Sequence, residues 1–268
     1  METGLCRNDK KGDLNHMRIG ITERGDAGLD LTWKDKLNQV DGVVLVTKNL
    51  NQHFRTAVLD SMGTKPIIVH ATITGWGGTP LEPHVPNFQT SIQNLQKLIQ
   101  DGFPLKQCVL RIDPIIPFKV GLDVVNDVLS QVADCPELRG IRVRVSILDE
   151  YQHVKQRLQM RGLSPFYPNG RFQASRQQKD DVLTFLRHWN KKENIIFETC
   201  AEPDLLDPAV VQQGCISPVD LQIMNLPVPQ ASYNNPQNRY GCLCLGCKTE
   251  LLTRKQQCPH GCLYCYWR

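Results

Sequence analysis

Long apolar runs are missing from this chain of 268 residues. Nothing in it approaches the ~20 consecutive apolar residues that a membrane-spanning helix needs. The opening stretch, Met1 to His16, is rich in Asp, Asn, Lys and Gly instead of the apolar residues of a signal peptide. A helical membrane protein is thereby excluded, and a soluble, cytoplasmic protein is the expectation. A strong excess of one charge is lacking too: 31 Lys and Arg against 27 Asp and Glu leave a net charge of +4 and an isoelectric point near 8.5. That mild basicity would suit an anionic partner such as a nucleotide or DNA, although an ordinary solvated surface explains it at least as well. No internal repeat or low-complexity tract is visible, which excludes a repeat architecture.

What is present is enough apolar material, 41% of residues, to bury the core of one large α/β domain. Short, β-branched, nearly continuous apolar runs recur at Arg18–Thr22, Gly42–Thr47, Pro66–Thr74, Cys108–Ile112, Ile141–Leu148 and Asn194–Glu198, the pattern of strands buried on both faces. Between them Ile92, Leu95, Leu98 and Ile99 share one helical face, as do Leu122, Val125, Leu129 and Val132. Ser175 reads as an N-cap ahead of a stripe of Val182, Leu183, Leu186 and Trp189.

Strand alternating with helix predicts parallel βα units. Periodicity alone does not separate a barrel from an open sheet. The polar residues favour the barrel, because Arg24 and Asp26, Thr47 to Asn49, Thr74 to Gly78, Arg111 and Asp113, Ser146 to Glu150, and Glu198 to Glu202 all fall at strand C-termini, where barrels place their chemistry. The expected architecture is a polar segment over 1–16, a partial (β/α)6-type TIM-like barrel over 17–202, and a cysteine-rich tail over 203–268 packed on the barrel. In the tail the alternation stops, and a bound metal is expected to order it outside the strand–helix core.

Eleven cysteines in a chain with a normal core point to metal binding more than to disulfides. Cys6, Cys108 and Cys135 are scattered, as inert core thiols usually are. Cys200, Cys215, Cys242, Cys244, Cys247, Cys258, Cys262 and Cys265 crowd the C-terminal quarter. Cys258, Cys262 and Cys265 have the spacing C-x3-C-x2-C, with aromatic Tyr264 just before the third. Three thiolates are one short of the four that fill a [4Fe–4S] cluster. The iron left open can chelate the amino and carboxylate groups of S-adenosylmethionine, and the reduced cluster can then break the C5′–S bond to release a 5′-deoxyadenosyl radical. The alternative is a zinc site completed by His260 or Cys247, within a zinc-stabilised basic nucleic-acid-binding protein without redox chemistry. Zinc sites, however, favour separated C-x2-C pairs.

The spacing and the Cys262-Leu263-Tyr264-Cys265-Tyr266 core resemble the radical S-adenosylmethionine superfamily, which normally carries this motif near its N-terminus. The whole chain resembles a bacterial and phage family of formerly unknown function that ends in such a cluster, in effect a circular permutation. Thr47-Lys48-Asn49, Thr72-Ile73-Thr74-Gly75, Glu82-Pro83, Asp113-Pro114-Ile115, Cys200-Ala201-Glu202, Gly214-Cys215-Ile216 and Gly241-Cys242-Leu243-Cys244 carry the resemblance besides the terminal motif. Val46 and Leu50 depart from the aromatic and proline usual around the first of these. The resemblance implies a radical enzyme drawing electrons from a flavodoxin-like or ferredoxin-like donor. It further suggests an isomerase acting on amino-acid-modified thymidine in phage DNA.

Cys200, Cys215, Cys242 and Cys244 form a second constellation that suits an auxiliary [4Fe–4S] cluster, with zinc as the competing occupant and Cys247 as a spare ligand. Lys48, Gly77, Gly78, Arg111, Ser146, Glu202 and Tyr264 are the candidates for holding S-adenosylmethionine. Asp113, Arg144, Asp149 and Glu198 are weaker ones, since strand-end charges often only pair with one another. His260 either tunes the cluster through a hydrogen bond to sulfide or only shapes its loop. Tyr266 and Trp267 would shield the cluster, and Arg254, Lys255 and Arg268 flank it with positive charge.

Overall fold

The computed structural model describes residues 17–168, 170–228, 241–246, 248–252 and 258–267. The segment 1–16, with Cys6, and also Cys247, Arg254, Lys255 and Arg268 lie outside the described residues. Among the described residues eight strands form one sheet: β1 (Ile19–Ile21), β2 (Gly42–Thr47), β3 (Ile67–Thr72), β4 (Cys108–Ile115), β5 (Arg142–Ile147), β6 (Phe197–Thr199), β7 (Val210–Gln212) and β8 (Lys248–Glu250). Their order is β7-β6-β5-β4-β3-β2-β1-β8, and every pair is parallel. The sheet is not closed, because β7 and β8 stand at its two edges.

The six strands expected from apolar runs are all present. The two edge strands come from the stretch where alternation was expected to have stopped. Each is three residues long, and β8 reads Lys-Thr-Glu, so neither leaves a hydrophobic period to recognise. Charge and shortness are what an exposed sheet edge calls for.

The helices are α1 (Gln52–Ser61), α2 (Phe88–Gln100), α3 (Lys119–Ala133), α4 (Gln152–Met160), α5 (Arg176–Glu193) and α6 (Pro218–Ile223). Side-chain N-caps start four of them: Asn51, Asn87, Ser175 and Ser217 accept from Phe54, Thr90, Gln178 and Asp220 N–H groups. Ser175 is the N-cap its position ahead of the apolar stripe foretold, and it also forms a capping box with Gln178.

Side chains alternate across the sheet between two cores. Val43, Leu45, Val69, Leu110 and Val143 pack with the apolar stripes of α1, α2, α3 and α5. On the other face Ile19, Ile21, Val44, Ile68 and Val109, near the strand starts, join Ile216, Leu221, Met224 and Leu245 in a smaller cluster. Along that second face the strands turn polar toward their C-termini, through His70 and Thr72 on β3, Arg111 and Asp113 on β4, Arg144 and Ser146 on β5, and Glu198 on β6. One half of the inner face is thus core and the other half can carry chemistry.

The tail does not lie outside the core, as composition had suggested. Leu251, Leu252, Cys262, Leu263 and Tyr264 are buried within the main cluster, and the Leu263 N–H donates to the Leu81 carbonyl at 2.9 Å. A Leu263→Ala variant is therefore expected to lose about 2 kcal/mol or more, as buried leucines do. An unchanged denaturant midpoint would place the loop outside the core after all.

Glu250 on β8 tests the edge pairing. Burial, with Glu23 beside it, pushes its carboxyl up to about 7 against the hydrogen bonds it accepts from the Leu252 and Arg24 N–H groups. Because the folded protein holds this proton more tightly than the unfolded chain, the contribution is full below the ordinary value of 4.5 and lost as pH rises through about 7. Wild type should therefore lose on the order of 2–3 kcal/mol relative to Glu250→Gln between about pH 4 and about pH 8. Parallel stability curves for the two proteins would show that Glu250 is not held protonated.

Candidate functional site

A cavity of about 460 Å³ opens at the C-terminal ends of the strands, and residues of β2, β3, β4, β5 and both cysteine groups line it. Cys258, Cys262 and Cys265 form one part of its wall, and Cys200, Cys215, Cys242 and Cys244 another. Of the other candidates, Lys48, Arg111, Ser146 and Tyr264 line it, together with Asp113, Arg144 and Asp149. Two groups of thiols from the C-terminal quarter of the chain thus face one space.

Two buried polar clusters fasten the terminal loop to the sheet. In the first, His260 Nε2 lies 2.7 Å from Asp26 Oδ2, while His260 Nδ1 lies 3.2 Å from the His84 carbonyl. Asp26 also accepts from Gly28 N–H at 2.8 Å, Thr47 Oγ1 at 2.6 Å and Lys48 N–H at 2.7 Å. Burial pushes the Asp26 carboxyl up, but the hydrogen bond and charge of His260 and the donors of Lys48 and Thr47 outweigh it and hold it below the usual range. Both ring nitrogens of His260 therefore face oxygen, so of its two expected roles the geometry selects shaping the loop.

In the second cluster Lys48 Nζ donates to Glu82 Oε1 at 2.6 Å and to Tyr264 Oη at 3.0 Å, and the Tyr264 hydroxyl donates to Glu82. Thr74 Oγ1 donates to the other Glu82 oxygen at 2.8 Å. Burial pushes Glu82 up, and the Lys48 charge with these donors brings it below the ordinary carboxylate value. Tyr264 is pushed well above its ordinary value by burial and the Glu82 charge, so its phenol stays protonated and donating. From α4, Arg157 Nη1 donates to the carbonyls of Cys262, Leu263 and Cys265 at 3.2, 3.0 and 3.0 Å. Burial pushes the Cys262 thiol up to about 12, so binding a cation there must displace a proton.

The second thiol group is tighter. Cys200, Cys242 and Cys244 have sulfurs all within 4.8 Å of one another, and Cys215 Sγ is 3.9 Å from Cys200 Sγ. The Cys215 N–H donates to Cys244 Sγ at 3.0 Å. Hydrogen bonds from Cys200, Cys215 and Cys242 drive the Cys244 thiol below its ordinary value. A group of this kind can hold a metal ion.

Beneath the cavity lies a buried charge network. Arg144 donates to Glu198 Oε2 from Nη2 at 2.5 Å, and Arg142 bridges Glu198 and Asp220 at 2.8 and 2.7 Å. His70 lies 3.5 Å from Arg144, and burial with the charges of Arg144, Arg111 and Arg142 holds it well below its ordinary value, hence neutral. Nearer the opening Arg111 pairs with Asp113, which accepts from Ser146.

Gly77, Gly78 and Glu202 are not brought to the cavity wall. Glu202 accepts the Ile147 N–H at 3.1 Å. A Cβ on Gly77 would stand 1.9 Å from the Pro86 carbonyl oxygen, and the Gly78 N–H donates to the Glu82 carbonyl with φ at +78°. The glycines serve the turn that presents Glu82. Sequence reading had no signal for Arg157, an ordinary helix residue, or for Lys248, which lines the cavity from an edge strand. Buried His70 in an otherwise apolar strand was a signal that could have been used.

His260→Ala would remove the loop's hydrogen bond to the buried Asp26 carboxylate and leave it only its local donors, which is expected to lower stability by about 2 kcal/mol. The exposed His153→Ala serves as control. Equal unfolding midpoints for the two variants would remove His260 as an anchor of the loop.

Comparison with curated proteins finds no match. A family model described as a domain of unknown function, DUF1848, matches residues 32–267, from the helical turn after β1 to the third cysteine's aromatic neighbours. With both thiol groups, both anchoring clusters apart from Asp26, and seven of the eight strands inside that match, the chain belongs to the DUF1848 family.

Proposed function

We propose that this protein is a radical S-adenosylmethionine enzyme whose [4Fe–4S] cluster is held by Cys258, Cys262 and Cys265. The observation that carries the reading is that three cysteines of a C-x3-C-x2-C loop line a strand-end cavity while the loop's own histidine is spent elsewhere. A zinc site built on these cysteines would recruit His260, but its two ring nitrogens face Asp26 and the His84 carbonyl. A cluster with one iron left open supplies, when bound, reductive cleavage of S-adenosylmethionine to methionine and a 5′-deoxyadenosyl radical that takes hydrogen from substrate.

The chain's own residues do the remaining work. Asp26, Glu82, Lys48 and Arg157 hold the loop rigidly, and Tyr264 and Leu263 seal it from water on the core side. Lys48, Arg111 and Ser146 offer polar contacts to a bound nucleoside and carboxylate in the cavity. The parallel order that runs consecutively from β1 to β7, with β8 added beside β1 at the other edge, supports reading the open sheet as a partial barrel. The substrate reading is an amino-acid-decorated thymidine in DNA, rearranged in an isomerase reaction. It is supported by the resemblance of the chain and by the basic side chains Arg24, Lys48, Arg111, Arg144 and Lys248 around the cavity.

Anaerobic reconstitution of the full chain tests the central reading. Expected are iron, broad absorption near about 400 nm, and 5′-deoxyadenosine formed after reduction in the presence of S-adenosylmethionine. Cys258→Ala should abolish the 5′-deoxyadenosine. Full cleavage in that variant, or wild type without iron, would sink the assignment.

A further inference from the structure

Four thiols that could surround a metal do so differently according to how many metal atoms they share. Around one tetrahedral ion with metal–sulfur bonds of about 2.3 Å, neighbouring sulfurs stand about 3.8 Å apart. Around a four-iron cube each thiolate binds its own iron, and the inorganic core holds the sulfurs much farther from one another. Cys200 and Cys215 have sulfurs 3.9 Å apart, and those of Cys200, Cys242 and Cys244 are mutually within 4.8 Å. Among the described residues Cys200, Cys242 and Cys244 are the one group of three or more metal-ligating side chains so compact, Cys215 adjoins it through Cys200, and the terminal trio is not so close.

We infer that Cys200, Cys215, Cys242 and Cys244 hold a single four-coordinate zinc ion, separate from the terminal cysteine loop, in place of a second iron–sulfur cluster. A closed tetrahedral shell of thiolates is the ordinary structural arrangement for zinc. The surroundings fit such a shell. The Cys215 N–H points at Cys244 Sγ, the backbone-to-sulfur bond that orients a thiolate ligand. Gly214 lets the two ligand-bearing loops meet: a Cβ there would lie 2.5 Å from the Leu243 carbonyl oxygen and 2.8 Å from the Cys244 nitrogen. Four thiolates around a divalent ion carry a net charge of −2, and Arg111 and Lys248, each also paired with a carboxylate, Asp113 and Glu23, stand within electrostatic reach of these sulfurs.

The ion would tie three separate pieces of chain together. Cys200 follows β6, Cys215 follows β7, and Cys242 and Cys244 precede β8. All four line the cavity, so the ion would set one wall without carrying electrons. This inference is independent of the terminal loop's chemistry.

Metal analysis and zinc-edge X-ray absorption on the full-length protein, purified without oxygen, provide the test. One zinc per chain with four sulfur neighbours at about 2.3 Å is expected. Cys244→Ser and Cys200→Ser should lose that zinc and keep their iron, whereas Cys262→Ser should lose iron and keep the zinc. Wild type with no zinc overturns the proposal, as does iron that is lost in Cys244→Ser, or zinc that disappears in Cys262→Ser but persists in Cys244→Ser. The wild-type spectrum decides even if a variant does not fold. Zinc present without iron would sink the radical reading alone and leave this one standing.

Discussion

Two buried charge clusters, Asp26 with His260 and Glu82 with Lys48 and Tyr264, govern how the molecule is assembled. Each places a carboxylate in the interior, where an unpaired charge is expensive, and each satisfies it with a donor from the last ten residues or from a strand end. The partners are 234 and 182 residues apart along the chain. The cysteine loop must therefore dock at one place for either carboxylate to be satisfied. Arg157 reinforces the same place by taking up the loop's free carbonyls.

That docking also explains the shape of the sheet. The short segment ahead of the loop adds β8 beside β1, and Leu251 packs against Gly20, where any side chain would collide with it. The inner face is apolar toward the strand starts and polar toward their ends, so one side of the sheet supplies both a core and a cavity. The arginine–glutamate network of Arg142, Arg144 and Glu198 separates the two regions. Charged residues are tolerated there because each has a partner in hydrogen-bond range.

Much of this was legible in the chain. The strands β1 to β6, the α5 N-cap at Ser175 and the two cysteine constellations follow from patterns of side-chain type and spacing. The edge strands were not legible, because β7 and β8 are short pieces without a flanking apolar run, and β8 has no apolar residue at all. The role of Gly77 and Gly78 was not either, since a glycine before a turn reads the same whether a ligand or a carbonyl approaches it. Asp26 and Lys48 stood out as strand-end polar residues, but nothing local tied them to residues more than 200 positions away.

The sequence by itself determined which residues could bind metal and where strands and helices alternate, because both depend on side-chain chemistry and short-range period. Only the tertiary structure decided that both thiol groups face one cavity, that His260 is an anchor and not a ligand, and that the sulfurs of Cys200, Cys215, Cys242 and Cys244 are crowded together. Those are facts of distance between segments remote in the chain, and distance is set by how buried charges and apolar faces are satisfied together.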